Sequence, residues 1–257
     1  MIQRPLVCAA FFLLLSVSAH ADTVKILAED DWYPYTANID GTSQGITVDL
    51  VDAIFAAEGH TAEYESVNYD KAMGLVKDGV ALACFNAPRT EELEDVYLWH
   101  DQPLTDAVGG FYAVADYSGS IAGVAGAAGK TVGLTLGYGY GNDVDMDMGM
   151  FKEYSKSDRI LVQKLLANRM ELIILFDRVA DYLLPKLGVA GKLKKVGSSG
   201  TIQNYVAFSK KHPDGKKYLE IFNRGFKKIR EDGTYGRILA KWDAKLKATA
   251  PETTPAA

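Results

Sequence analysis

The residues best suited to chemistry in this chain are aromatic and acidic, and they gather in a few short stretches. Glu29-Asp30-Asp31-Trp32-Tyr33-Pro34-Tyr35 follows the first β-prone run and puts acids and two or three large rings in one loop. Rings on an exposed loop can stack on a flat or cationic ligand. The competing reading folds those rings onto the domain as core, and amphipathic rings often do both. Gly137-Tyr138-Gly139-Tyr140-Gly141-Asn142 lies between a strand and a helix. Glycines there let backbone N–H groups approach a ligand at a helix N-terminus. The run lacks GxGxxG spacing and no Lys-Ser/Thr follows it, which argues against a nucleotide and leaves a ligand-facing loop.

Other chemistries are poorly supported. Asp143-Val144-Asp145-Met146-Asp147-Met148-Gly149 resembles a calcium loop, but its glycine comes at the seventh position. Tyr154 stands at the twelfth, where a bidentate Glu is needed. Acids favoured by the positive end of a helix explain the run more simply. His60, His100 and His212 are scattered, and there is no HExxH or GxSxG. No metal or cofactor is implied, and an enzyme is not the favoured reading. Cys84, in Val80-Ala81-Leu82-Ala83-Cys84-Phe85, reads as an inert buried thiol on a strand.

The elements that must position these residues begin after a leader. Met1-Ile2-Gln3-Arg4 is a short positive region, Pro5 to Ser18 is apolar, and Ala19-His20-Ala21 is an A-x-A cleavage site. The apolar run is shorter than the roughly 20 residues a spanning helix needs. Residues 1–21 are therefore expected to be a cleaved signal peptide, which places the mature chain in the periplasm. Cys84 is then the single remaining cysteine, so the fold must rely on its core. The 257 residues carry 28 Lys+Arg and 33 Asp+Glu, a net charge of −5, with 48% apolar residues. That is a globular composition, and an acidic total without a basic block argues against nucleic acid.

Strand and helix character then alternate. Val24 to Ala28 is β-prone, Thr47 to Ala57 has helical apolar spacing closed by Gly59, and Thr61 to Val67 is β-prone again. Tyr69 to Lys77 reads as helix, Asp78-Gly79 as turn and Val80 to Phe85 as strand. The pattern restarts with Thr131 to Leu136, a helix capped by Ser157, the strand Glu171 to Phe176 and a helix opened by Asp177. Ala122 to Gly129, between the halves, reads as a surface connection. Such alternation predicts an α/β fold with a largely parallel sheet and ligands at the carboxyl ends of its strands. Tyr218, Ile221, Phe222, Gly225, Phe226 and Ile229 mark the apolar face of a further helix. Its Lys/Arg face is a partner surface or, as is commoner, simply solvated.

Four motifs carry a family resemblance. They are Trp32-Tyr33-Pro34-Tyr35, Gly45-Ile46-Thr47-Val48-Asp49-Leu50, Asp78-Gly79 to Thr90-Glu91, and Glu231-Asp232-Gly233-Thr234-Tyr235 with Val206 to Ser209 as a returning strand. Together they resemble the family-3 extracellular solute-binding proteins, the polar amino-acid-binding branch of the type II periplasmic binding proteins. The resemblance implies two α/β lobes with a double crossover hinge, near Gly109 to Tyr112 and Asn204 to Val206. Lobe 1 would comprise 22–109 plus 206–247, lobe 2 would comprise 110–205, and 248–257 would be a disordered tail. A small polar solute, cationic or amino-acid-like, would be closed between the lobes. A monomer would hand it to an inner-membrane ABC permease. Rival readings are a ligand-sensing subunit for a membrane receptor and an exported dehydratase-like enzyme. The implied ligand residues are Glu29, Trp32, Tyr35, Asn86, Arg89 and Thr90 from lobe 1, with Tyr138, Tyr140 and Asp177 from lobe 2. One departure stands out: the family's carboxylate-clamping Arg falls on Leu93, which supplies no guanidinium fork. Arg89 is the nearest substitute.

Overall fold

The computed structural model describes residues 22–249; the expected signal peptide, 1–21, and residues 250–257 lie outside the described residues. The first part of the chain forms β1 (Thr23–Glu29), β2 (Asp31–Trp32), β3 (Thr36–Ile39), β4 (Thr42–Gln44), α1 (Ile46–Ala56), β5 (Thr61–Val67) and α2 (Tyr69–Lys77). It continues with β6 (Ala83–Pro88), α3 (Glu91–Glu94), β7 (Tyr97–Trp99) and β8 (Thr105–Val114). Then come β9 (Thr131–Thr135), α4 (Asn142–Asp145), β10 (Phe151–Ser155), α5 (Asp158–Leu166), β11 (Leu172–Phe176) and α6 (Asp177–Lys186). The chain closes with β12 (Leu193–Ser209), α7 (Gly215–Glu231) and α8 (Thr234–Thr249). Helix thus persists beyond residue 247, where the tail was expected to start.

The main sheet runs β10-β9-β11-β8-β12-β6-β1-β5, with β7 beside β12, and β2-β3-β4 forms a small sheet of its own. One end is parallel, β5-β1-β6, and so is the other, β10-β9-β11. Parallel neighbours need crossover connections, and α1, α2, α5 and their loops supply them. A long antiparallel pair links the two ends: β8 and β12 register from Leu193 opposite Val114 to Asn204 opposite Thr105. Beyond that pair β12 continues against β6, while β8 holds β11 through Gly109–Tyr112.

Each end is covered on both faces because successive strand residues point to opposite sides. Ile26 packs with Ile54 and Phe55 of α1 and Phe222 and Phe226 of α7, whereas Leu27 joins Met73 and Val76 of α2. Likewise Leu172 and Ile174 pack with Val132 and Ala127, and Ile173 and Leu175 with Leu161 and Leu184. The apolar face foreseen for α7 is buried in full. Gly225 permits its close approach to α1, since a Cβ there would lie 2.2 Å from the Ile54 carbonyl oxygen.

Two local expectations need correction, and a third holds. β6 begins at Ala83, and Val80 is 72% exposed in the turn before it. Ala122 to Gly129 is the surface connection expected: it is mostly exposed and contains a 3-10 turn, Val124–Ala127, of which only Ala127 is buried. Ser157 stands at the N-terminus of α5 but makes no side-chain cap bond.

Candidate functional site

The aromatic loop is anchored before it is used. The N–H groups of Ile46 and Thr47, orphaned at the start of α1, donate to the carbonyls of Pro34 (2.8 Å) and Tyr35 (3.0 Å). Gly45, at φ +150°, makes this contact possible, because a Cβ there would sit 2.1 Å from the Tyr35 carbonyl oxygen. Trp32 stacks on Tyr35 with centroids 4.3 Å apart, and meets Phe176 edge-on at 5.3 Å and Tyr138 at 6.1 Å. Trp32 is 3% exposed, and its Nε1 is buried without a hydrogen-bond partner.

Asn86 owes its position to a bulge. Where β6 meets β12, Ala87 pairs with Tyr205 and Phe85 with Val206, so Asn86 is the extra residue, at φ +65°. A bulge re-aims a side chain out of the ladder, and left-handed backbone is tolerated best by Gly, Asn and Asp. Thr47 Oγ1 donates to Asn86 Oδ1 at 2.7 Å, and Asn86 Nδ2 lies 3.5 Å from Glu29 Oε2. Glu29, the last residue of β1, is 4% exposed, and the Tyr138 hydroxyl is its other partner. Burial pushes its carboxyl up to about 8; Tyr138 and Asn86 offset part of this, and the negative charges of Asp158 and Asp30 add to it. Asp158, at the start of α5, is likewise buried and pushed up to about 7. Its Oδ1 accepts from Thr135 Oγ1 at 2.5 Å, and its Oδ2 has no partner.

These residues enclose a small inner cavity where the two ends of the sheet face each other. Glu29, Trp32, Tyr69, Asn86 and Pro88 line it from the β1 side, and Tyr138, Gly139, Phe176 and Ile202 from the other. It holds about 10 Å³, room for roughly one water. Gly139 allows this approach, since a Cβ there would lie 2.7 Å from Pro88 Cγ. Outside it, sharing Pro88 and Ile202, a cleft of about 790 Å³ opens to solvent, lined by Arg89, Thr90 and Tyr140 together with Glu91, Glu94, Asp106 and Asp143. Among the described residues no three His, Cys, Asp or Glu side chains group to hold a metal ion.

Of the nine residues singled out from the sequence, Glu29, Trp32, Asn86 and Tyr138 meet at the inner cavity. Arg89, Thr90 and Tyr140 stand at the outer cleft. Arg89 is tied up: its Nε and Nη2 both donate to Glu94, at 2.6 and 2.5 Å. Leu93, where the resemblance led one to expect a clamping Arg, packs against the α2 core. Tyr140 is buried flat on Phe176, its hydroxyl accepting from the Thr135 N–H. Two residues depart from expectation. Tyr35 lines neither cavity; it backs Trp32 and donates its hydroxyl to the Asp106 carbonyl. Asp177 lines neither cavity either, because Lys195 Nζ (2.6 Å) and the Tyr112 hydroxyl (3.0 Å) engage its carboxylate. It does open α6, as its place in the sequence leads one to expect. Tyr69 and Phe176 were missed, although both stand at the carboxyl ends of strands, where such a sheet exposes its binding edge.

Family matching decides what this arrangement belongs to. Residues 24–245 match the bacterial extracellular solute-binding proteins, family 3. The chain belongs to that family. A Vibrio harveyi protein, PatH, described as an amino-acid ABC transporter-binding protein, is 26% identical over 243 residues, covering 91% of this chain and 94% of that one. An ancestral arginine-binding protein bound to arginine superposes with a TM-score of 0.73 at 22% identity, covering 86% of this chain and 97% of its own. AbpA of Streptococcus pneumoniae, bound to L-arginine, gives 0.71 at 18% identity over 90% and 97% of the two chains. A histidine kinase sensor domain similar to periplasmic binding proteins gives 0.73 at 19% identity over 86% and 95%. This family-3 member thus has the mixed α/β, type II binding-protein fold and is a solute-binding protein of the amino-acid ABC-transporter kind.

Proposed function

We propose that this family-3 protein captures a small polar solute in the periplasm, at the inner cavity and the cleft beyond it, and passes it to an inner-membrane ABC permease. The carrying observation is that one cavity draws Glu29, Trp32 and Asn86 from the β1 side and Tyr138 from the β9 side. A site shared by two facing bodies couples binding to their closure. In this reading 22–109 plus 206–247 form one lobe and 110–205 the other; the packing of α7 and α8 on α1 supports it. The leader at 1–21 supports export. A cationic or amine-bearing solute fits better than a plain amino acid, since Leu93 replaces the clamping Arg and Arg89 is held by Glu94. Two of the structural neighbours hold arginine, a ligand with one cationic end. No catalytic step is proposed.

The test is a thermal-shift screen of amino acids and amines, with hits measured by calorimetry on the mature protein. Asn86→Ala and Tyr138→Ala are expected to weaken binding at least about tenfold, the effect of losing a hydrogen bond to a charged group. Affinity unchanged in both variants would place the site elsewhere.

A further inference from the structure

The inner cavity has a wall composition that selects among solutes, and this inference rests on the proposed site. Trp32, Tyr69, Tyr138 and Phe176 present four aromatic side chains around the Glu29 carboxyl. Trp32 meets Tyr138 and Phe176 edge-on, and Tyr69 meets Tyr138 edge-on at 5.9 Å, so the rings stand as walls and not as one stack. Ring faces attract an ammonium through their quadrupole. Among the described residues lining the two cavities Arg89 is the single Lys or Arg, and Glu94 already neutralises it. The outer cleft carries Glu91, Asp106 and Asp143. A ligand carboxylate would meet these acids without a counter-ion, at a cost, whereas an amine gains from them.

We infer that the cavity takes the ammonium head of an organic amine lacking a carboxylate, with Glu29 as its counter-ion, and that Glu29 gives its proton to solvent as the cation enters. The balance is simple: the carboxylic acid and the cation become a carboxylate–ammonium pair and one released proton. Burial already holds Glu29 protonated near neutral pH. The groups around it agree. Asp30 beside it and Asp158 from α5 are acids that disfavour its charge. Tyr69 from α2, Cys84 and Asn86 from β6, and Tyr138 after β9 bring no positive charge. An entering cation supplies the missing one. Only the head enters: the inner cavity has room for about one water and shares Pro88 and Ile202 with the outer cleft, into which the rest of the amine extends.

The experiment uses matched pairs on the mature wild-type protein by calorimetry: agmatine against arginine, putrescine against ornithine, and choline against glycine betaine. Agmatine and putrescine lack only their partners' carboxylate, and choline carries a hydroxymethyl group where glycine betaine carries it. At least one carboxylate-free member is expected to bind about tenfold or more tightly than its partner, with an enthalpy that varies with buffer ionisation because a proton is released. Glu29→Gln is expected to lose that preference and the buffer dependence while keeping its melting cooperativity. Tighter binding of the carboxylated members, abolished by Tyr138→Ala, would overturn the amine assignment and leave the solute-binding site standing. Equal binding of choline and 3,3-dimethyl-1-butanol, its uncharged analogue, would overturn the role of charge. Absence of binding across all pairs would overturn the amine class, and a second blank across the wider amino-acid and amine screen would overturn the site itself.

Discussion

Glu29 and Asp177 invite the same reading and come to opposite ends. Glu29 ends β1 and Asp177 directly follows β11, so both stand where α/β sheets present ligand groups. Glu29 is 4% exposed among aromatic rings, with Asn86 and Tyr138 as neutral partners and no cation. Asp177 keeps a side chain 32% exposed and is held by Lys195 and Tyr112. The topology of the sheet decides where an acid sits, but the groups facing it decide whether it is free to meet a ligand. An acid with its own lysine is satisfied; a buried acid without one is waiting for a counter-charge or a proton.

The largest effect that sharpens this contrast belongs to the wall of the cavity. Trp32→Ala removes a ring buried against Tyr35, Phe176 and Tyr138. It should cost roughly 3–5 kcal/mol in urea unfolding, the range for large aromatic truncations in a core. A cost below about 1 kcal/mol, the level of a surface change, would mean the rings are not packed between the two ends.

Acid–base behaviour gives the next effect. Folded Glu29 holds its proton up to about 8, against an ordinary value of 4.5. Between those values the native state binds a proton that the unfolded state has lost, so stability falls as pH rises through the window. The slope for one such proton is at most about 1.4 kcal/mol per pH unit. Asp158, pushed up from 3.8 to about 7, adds a fall of the same sign that ends near 7. Glu29→Gln should therefore flatten the decline in melting temperature most clearly between pH 7 and 8. An unchanged slope in that variant would show Glu29 to be ionised in the folded protein.

The smallest effects belong to the satisfied acid and the tethered arginine. Asp177→Asn breaks a half-exposed ion pair and should change stability by about 0–1 kcal/mol, the usual worth of such pairs. Arg89→Ala, which removes a surface pair with Glu94, should behave alike. A loss of more than about 2 kcal/mol in either would mark a structural role beyond an exposed pair.

Much of the fold was legible because its signals are periodic. The helical spacing of Ile46 to Phe55, the apolar run Leu172 to Phe176 and the α7 stripe each encode their burial directly. Less legible were features set by a distant partner. Lys195, eighteen positions beyond Asp177 and on β12, is what engages that acid. The bulge at Asn86 depends on the register of β12, and no local residue announces it. Tyr69 and Phe176 looked like a helix start and a strand end, and became cavity walls only when the two ends of the sheet faced each other. Arg89 is the instructive near miss: Glu94 lies five residues on, close enough in sequence to have been recognised as its partner.

The most direct measurement is calorimetric titration of agmatine, or whichever carboxylate-free amine binds tightest, into Glu29→Gln and Asp177→Asn side by side. Loss of the charged contact at Glu29 should weaken binding by about tenfold or more, with the proton release gone, while Asp177→Asn stays within about twofold of wild type, well under 1.4 kcal/mol. Full affinity in Glu29→Gln together with a large loss in Asp177→Asn would contradict the account and move the ligand to Asp177 and Lys195.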